Sequence, residues 1–395
     1  MGRCNLMVII TSSSISSGAY ESHVISLAEA LKGRLSDIAL FSFSDKKMDM
    51  TKKGVIDKRL ARLKTILGEE NVTLFKNKGP LAARFQIEKI KNIINIEKRT
   101  FLLCQNYYAG LLGAAVKTEL PNVHLHVDFK GVVPQENLLY SGVPFIVRLA
   151  LFLCAKVFEK RIFEHADSFS AVSERFRGYL SRIYHVGRRP FLVLPSAVDE
   201  SRFFYKDDLR REYKKRLPYG DSDTIVTFCG SMKRWQEADS IFRLMKGMSG
   251  LSGYRFLILT LDRKLAERYR QRYAIPADRT RIISAPTDEI NGYLNASDIC
   301  LLLRNDDIVN NVASPTKFGE YLVTKNKIVI SDNVGDFSDI VKQSEYGVCL
   351  KTLDIDAEKL ARELDRKRKP SDDEIDKFKE EYSLKKNIEK IVRLL

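Results

Sequence analysis

Cysteine, histidine and tryptophan are scarce in this chain, and each scarcity closes a class of function. The six cysteines (Cys4, Cys104, Cys154, Cys229, Cys300 and Cys349) are scattered over 395 residues. No two form a C-x-x-C pair, and most stand in apolar runs. They read as small buried hydrophobes in a reducing compartment, not as a disulfide framework. Five histidines with no His/Cys cluster argue against a structural zinc site. Long apolar runs are missing too. Asn5 to Ile10 is only a strand's length and gives way at once to a Ser/Thr loop, so no secretory signal is expected. The nearest approach to a membrane span, Val143 to Phe158, is interrupted by Arg148 and Lys156. A cytoplasmic protein is expected on these grounds. Acidic residues are in deficit as well, 51 Asp+Glu against 66 Lys+Arg, for a net charge of +15. That excess asks for an acidic partner or surface. Nucleic acid is a poor fit, because there is no helix-turn-helix pattern, RNA-binding aromatic motif or Arg-rich arm. Anionic lipid headgroups or a nucleoside diphosphate remain.

The length suits two domains, and 44% hydrophobic residues with 21 Phe and 16 Tyr suffice for two cores. The first half alternates. Strands are expected at 6–10, 38–43, 72–75, 101–105, 123–129 and 168–172, with helices at 21–31, 52–67, 82–96 and from 173. This pattern predicts a parallel sheet covered on both faces. The helix expected over 144–166 is apolar nearly all round, which favours packing in the core. A basic amphipathic surface laid on a membrane is the competing reading. A boundary falls near 195–200, followed by a charged stretch (206–216) and a fresh α/β alternation. Strands there are expected at 225–229, 256–260, 281–284, 299–303, 327–332 and 348–350, and helices at 239–248, 356–367 and 372–395.

Three stretches carry chemistry. Ser314-Pro315-Thr316-Lys317-Phe318-Gly319-Glu320 reads as a helix opening, with Pro315 at the first position and Ser314 as cap. Its dipole and the Lys317 charge suit a phosphate, and Glu320, one turn on, could accept from sugar hydroxyls. The plainer reading is a capped helix with a surface Lys and Glu. The loop Gly230 to Gln236 follows a strand. Gly230 allows close backbone approach, and Lys233 and Arg234 bring two positive charges to the sheet edge. His126, Asp128 and Lys130 share one face of a strand end by their period of two, where burial without a purpose would be costly. The alternative is a solvated strand end with one ion pair. The loop Thr11 to Tyr20 lacks G-x-G-x-x-G and Walker patterns, so a dinucleotide or ATP site there is unsupported. It is either a connector or the lip of a site.

Together these pieces resemble the GT-B glycosyltransferases of the retaining family 4 type. Further matches are Ala171-Val172-Ser173-Glu174, Leu194-Pro195-Ser196-Ala197-Val198-Asp199 with Phe203, and Lys327 to Asp332. The resemblance implies two Rossmann-like doubly wound parallel-sheet domains facing across a cleft, 1–195 on the acceptor side and 196–375 binding nucleotide-sugar. A C-terminal helix, about 376–395, would cross back to the first. It implies that Glu320 binds ribose hydroxyls and that Ser314, Thr316, Lys317, Gly230, Lys233 and Arg234 hold the diphosphate. His126 or Asp128 would face the reacting sugar. No metal or cofactor is implied, since basic side chains and a helix terminus stabilise the leaving group. The donor would be a UDP- or GDP-sugar and the acceptor a glycan or lipid-linked glycan of the cell envelope. The enzyme would be cytoplasmic and peripheral to the inner membrane face.

The departures fall on the sugar. Val312 stands where many relatives carry a donor-sugar Glu, and Ser16-Ser17 replaces a glycine pair. Ser17, Gly18, Lys130, Asn305, Asp306, Asn310 and Asn311 are the candidates for donor-sugar or acceptor contacts. A GT-B epimerase or hydrolase, and a non-catalytic binder of polyanions or membranes, are the alternatives.

Overall fold

The computed structural model describes residues 6–15, 20–35, 37–43, 53–75, 80–94 and 99–395. They form two compact units, Met1–Pro195 with Leu384–Leu395, and Ser196–Ser383.

In the first unit a parallel sheet runs β3-β2-β1-β4-β5-β6-β7. Its strands are β1 (Leu6–Ser14), β2 (Ile38–Phe43), β3 (Val72–Phe75), β4 (Thr100–Gln105), β5 (His124–Phe129), β6 (Ser168–Ala171) and β7 (Phe191–Val193). The connecting helices are α1 (Ser26–Lys32), α2 (Lys53–Leu67), α3 (Pro80–Lys91), α4 (Tyr107–Glu119), α5 (Val133–Tyr140), α6 (Phe145–His165) and α7 (Glu174–Ile183). β2 and β4 are buried at every position, as a sheet covered by helices on both faces requires. The strand order reverses between β1 and β4. Such a reversal opens a crevice at the carboxyl ends of the strands, where α/β sheets take ligands.

The second unit repeats the plan in the order β10-β9-β8-β11-β12-β13. Its strands are β8 (Thr224–Cys229), β9 (Tyr254–Leu259), β10 (Thr280–Ile283), β11 (Ile299–Leu302), β12 (Lys327–Ser331) and β13 (Gly347–Leu350). Its helices are α8 (Asp207–Lys215), α9 (Ala238–Met248), α10 (Arg263–Arg272), α11 (Ile290–Ala296), α12 (Ile308–Asn311), α13 (Thr316–Val323), α14 (Phe337–Lys342), α15 (Ala357–Asp365) and α16 (Asp372–Glu381). Here the order reverses between β8 and β11.

The chain ends differently from the single helix expected over 372–395. α16 stops at Glu381 and α17 (Leu384–Val392) follows. Each has its own apolar anchors. Phe378 and Tyr382 stack on one another at 4.5 Å, and Phe378 meets the Phe318 ring at 5.6 Å. Ile388 and Ile391 instead join the core of Leu27, Leu31 and Leu40. α17 is further tied to its own unit by Asn387 Nδ2 donating to Pro195 O (2.8 Å) and Lys390 Nζ to Val193 O (2.9 Å).

Other differences have local causes. The charged stretch 206–216 is α8, which buries one residue, Tyr213, edge-on to Tyr293. α4 is not among the helices expected; it is apolar nearly all round, and Tyr107, Ala109, Gly110, Leu112, Gly113, Ala114 and Val116 are all buried. Val133–Tyr140, where no helix was expected, form α5. α6 overturns the expectation of a core helix. Only Ala155, Glu159, Ile162 and Phe163, all in its second half, are buried. Among the described residues no helix is long and apolar enough to cross a membrane.

Candidate functional site

In the second unit the site grows from the carboxyl end of β8. Cys229 ends the strand, and the backbone turns at Gly230, whose amide donates to Leu259 O (3.0 Å). A Cβ on Gly230 would meet Phe228 Cζ at 3.0 Å and Gln236 Oε1 at 3.1 Å, so the turn is already filled. Beyond it, Met232 N–H donates to Asp262 Oδ2 (2.8 Å), and a 3-10 turn spans Arg234–Gln236. These bonds fix the loop and leave Lys233 and Arg234 exposed at its tip, with Lys233 Nζ 4.8 Å above the Trp235 ring.

α13 starts beside this loop. Tyr321 Oη lies 3.3 Å from both the amide and the carbonyl of Cys229, which pins the helix to the end of β8. Ser314 does not cap the helix as expected. Its Oγ accepts the Ser196 N–H at 3.1 Å, and Pro315 is the N-cap residue, without a side-chain cap. The first helical N–H groups are therefore left to other acceptors. Lys317 Nζ donates to Glu320 Oε2 at 2.5 Å, and Glu320 is only 7% exposed. Burial works against the Lys317 ammonium, but the negative charge facing it prevails, and its pKa rises above that of an ordinary lysine. Burial also pushes up the adjacent Cys229 thiol, so the attracting charge is the Glu320 carboxylate.

The segment before α13 is held by Gly335. Its φ is +48°, its N–H donates to Asn310 O (3.1 Å), and a Cβ there would stand 1.8 Å from Ala313 O. Asn310 is a structural residue. It is buried, and its Nδ2 donates to Asp307 Oδ2 (3.2 Å). Asp306 and Asn311 instead line a cavity of about 420 Å³ with Arg304, Asp332 and Asn333. Asn305 lies partly buried in the same loop. Val312 is buried in the core and presents no polar group.

In the first unit the period-two face of β5 forms a continuous polar ladder with β6. His124 Nε2 lies 2.9 Å from Ser168 Oγ, and His126 Nδ1 lies 2.9 Å from the same oxygen. His126 Nε2 lies 3.0 Å from Ser170 Oγ, which donates to Asp128 Oδ1 at 2.8 Å. Asp128 Oδ2 pairs with Lys130 Nζ at 2.8 Å. Because the Ser170 hydroxyl donates to Asp128, it can only accept from the ring. That places the His126 proton on Nε2 and leaves Nδ1 to accept from Ser168. Burial holds His126 down at about 4, against the opposing pull of Asp128. His126 is fully buried with both ring nitrogens engaged, and it orients Asp128 through Ser170. Asp128 and Lys130 stand at the carboxyl end, as an ion pair in a largely buried setting.

Sequence reasoning missed His23. It sits in a π-helical turn, Glu21–Ile25, a local deformation common at functional sites and invisible to a 3.6-residue period. Among the described residues its buried Nε2 has no hydrogen-bond partner, and burial together with Lys130 holds its pKa at about 3. Gln105, at the end of β4, donates from Nε2 to His23 O (3.0 Å), while its buried Oε1 has no partner among the described residues. Unsatisfied polar atoms at the β1/β4 reversal are what a ligand site leaves open. Ser17 and Gly18 lie outside the described residues. Among the described residues no three His, Cys, Asp or Glu side chains gather as a metal site.

Solved structures place this architecture. The chain superposes on Anabaena HepE in complex with UDP and glucose with a TM-score of 0.71, at 11% identity, covering 98% of each chain. The fold is the GT-B fold. A glycosyltransferase from Rickettsia africae matches with a TM-score of 0.69 at 14% identity, over 99% of this chain and 98% of the other. Sucrose-phosphate synthase from Thermosynechococcus elongatus matches with a TM-score of 0.68 at 14% identity, over 98% of both. No protein-family model matches the sequence, and no curated protein matches it. Such identities speak for the GT-B backbone and leave chemistry to the side chains. Here those side chains make a polar cluster in each unit, at the carboxyl ends of its strands.

Proposed function

We propose that this protein is a retaining glycosyltransferase that takes a sugar from a UDP- or GDP-sugar without a metal or cofactor. The observation that carries the reading is the Lys317–Glu320 pair beside Gly230, at the β8/β11 reversal and the uncapped start of α13. A diphosphate would meet Lys317, the first N–H groups of α13 and the exposed Lys233 and Arg234. Ser314 and Thr316 flank it. Glu320, released from Lys317, would accept the two ribose hydroxyls. Positive groups fixed around the diphosphate stabilise the leaving group in a retaining transfer. The HepE complex with UDP and glucose, on the same fold, supports this choice of donor class.

In the first unit, Asp128 with Lys130 is the polar group we assign to the reacting sugar, with His126 holding Asp128 in place and His23 and Gln105 beside it. Asp306 and Asn311 stand in for the sugar-binding carboxylate absent at Val312. Asn305 and Asn310 support their loop. The acceptor is a glycan or lipid-linked glycan of the cell envelope, and the protein works on the cytoplasmic membrane face. Calorimetry with UDP, GDP, CDP and ADP tests the reading. Lys317→Ala and Glu320→Ala should each weaken the best nucleotide by tenfold or more, about 1.4 kcal/mol. Unchanged affinity in both variants refutes the site.

A further inference from the structure

The helix α6 carries an apolar surface that no part of the described chain covers. One stripe, Arg148, Phe152, Ala155 and Glu159, faces the protein at helical spacing and is buried or half-buried. The opposite stripe, Ile146, Leu149, Leu153 and Val157, is 81%, 39%, 55% and 66% exposed. Phe145, Val147, Leu151 and Phe158 widen it, and Leu139 and Val143 extend it past the helix start. Scattered apolar residues at a surface are ordinary, but a contiguous stripe along four turns marks an interaction face.

Charge continues the stripe. Lys160 and Arg161 are exposed at its carboxyl end, and Lys160 lies 3.9 Å from Glu164. Arg148, which would oppose insertion, points away. Its Nη1 donates to Leu138 O at 3.2 Å and closes the α5–α6 hairpin. A helix with an apolar face and cations at one end of it suits the boundary between acyl chains and anionic headgroups. A second copy of the chain suits it less. Antiparallel α6 helices would set Lys160 and Arg161 against the partner's apolar end, and parallel ones would set like charges together. The chain's net charge of +15 favours an anionic surface in the same direction.

We propose that α6 lies in the surface of an anionic phospholipid bilayer and docks the first unit there, with Ile146, Leu149, Leu153 and Val157 among the acyl chains and Lys160 and Arg161 among the headgroups. This extends the membrane part of the functional reading and does not depend on its nucleotide part.

Cys154, exposed beside the stripe, supplies a reporter. With Cys4 and Cys349 replaced by Ser, a polarity-sensitive fluorophore on Cys154 should shift to the blue with phosphatidylethanolamine/phosphatidylglycerol vesicles. Spin-labelled lipid should then quench it. Unlabelled full-length protein should co-sediment with these vesicles, and Ile146→Glu with Leu153→Glu should abolish sedimentation. Lys160→Ala and Arg161→Ala should each weaken it about fivefold at low salt. UDP and GDP affinity, measured on the same variants, should stay unchanged, which separates failure of docking from failure of the nucleotide site. Absence of sedimentation by the parent protein overturns the proposal. So does sedimentation that survives the double Glu variant, or a dimer in ultracentrifugation that this variant dissociates while the Cys154 probe ignores vesicles.

Discussion

Acidification should destabilise this protein through His126. The ring is fully buried between Ser168 and Ser170, and its pKa in the folded state is about 4 instead of the usual 6.5. Burial is the larger cause, and the hydrogen-bond directions agree. A second proton on Nδ1 would turn the acceptor of the Ser168 hydroxyl into a donor. The sign follows from linkage. Well above pH 6.5 both states hold the ring neutral and stability is complete. As pH falls from 6.5 towards 4, the unfolded chain takes up a proton that the folded one refuses, and stability is lost. Between pH 7 and pH 5 the unfolded state gains about 0.7 of a proton and the folded state about 0.1, worth about 2 kcal/mol. His23, held at about 3, acts in the same sense, so the parent's total loss should exceed this. Replacing His126 with Gln keeps a donor and an acceptor and removes the titration. Urea unfolding followed by circular dichroism at pH 7, 6 and 5 should show the parent losing about 2 kcal/mol more than the variant. Nitrogen NMR of the imidazole should show a neutral ring protonated at Nε2 at pH 6. Equal pH slopes in parent and variant, or a His126 titration near 6.5, would refute the reasoning.

Two structural substitutions test the scaffold. Gly335→Ala forces a Cβ onto Ala313 O at a φ of +48°. It should lower stability by about 3 kcal/mol and weaken nucleotide binding by displacing the segment before α13, as thermal melts and calorimetry would show. Glu159, wholly buried, accepts from the Tyr107 and Tyr184 hydroxyls at 2.5 Å each and pairs with Lys156. Glu159→Ala strands all three donors and should cost about 3 kcal/mol in urea unfolding, whereas Glu159→Gln, which keeps an acceptor, should cost less.

Much of the candidate site's local geometry was legible because its signals are local. Lys317 and Glu320 are three residues apart on a helix whose start is marked by Ser-Pro, and that spacing alone makes them neighbours. Lys233 and Arg234 follow a strand and a glycine, and the chain's alternation fixes which sheet edge they occupy. Period two placed His126, Asp128 and Lys130 on one face. The same period could not show that β6 supplies Ser168 and Ser170 on the matching face. Those two hydroxyls turn His126 from a candidate reactive group into a buried support for Asp128.

The sequence by itself determined the two parallel α/β sheets, because apolar runs bounded by turns and amphipathic helices report burial directly. It also determined the local chemistry of the segments around Gly230 and Lys317. Tertiary structure decided what depends on neighbours distant in the chain. It recruited Ser314 to bind Ser196 instead of capping α13, and it brought His23 to the end of β4. It also divided the terminal helix between two cores. α6 shows the limit most clearly. Its residues are apolar nearly all round, and composition reads that as a core helix. Whether an apolar surface is covered depends on whether another element packs over it, and over the outer stripe of α6 none of the described elements does.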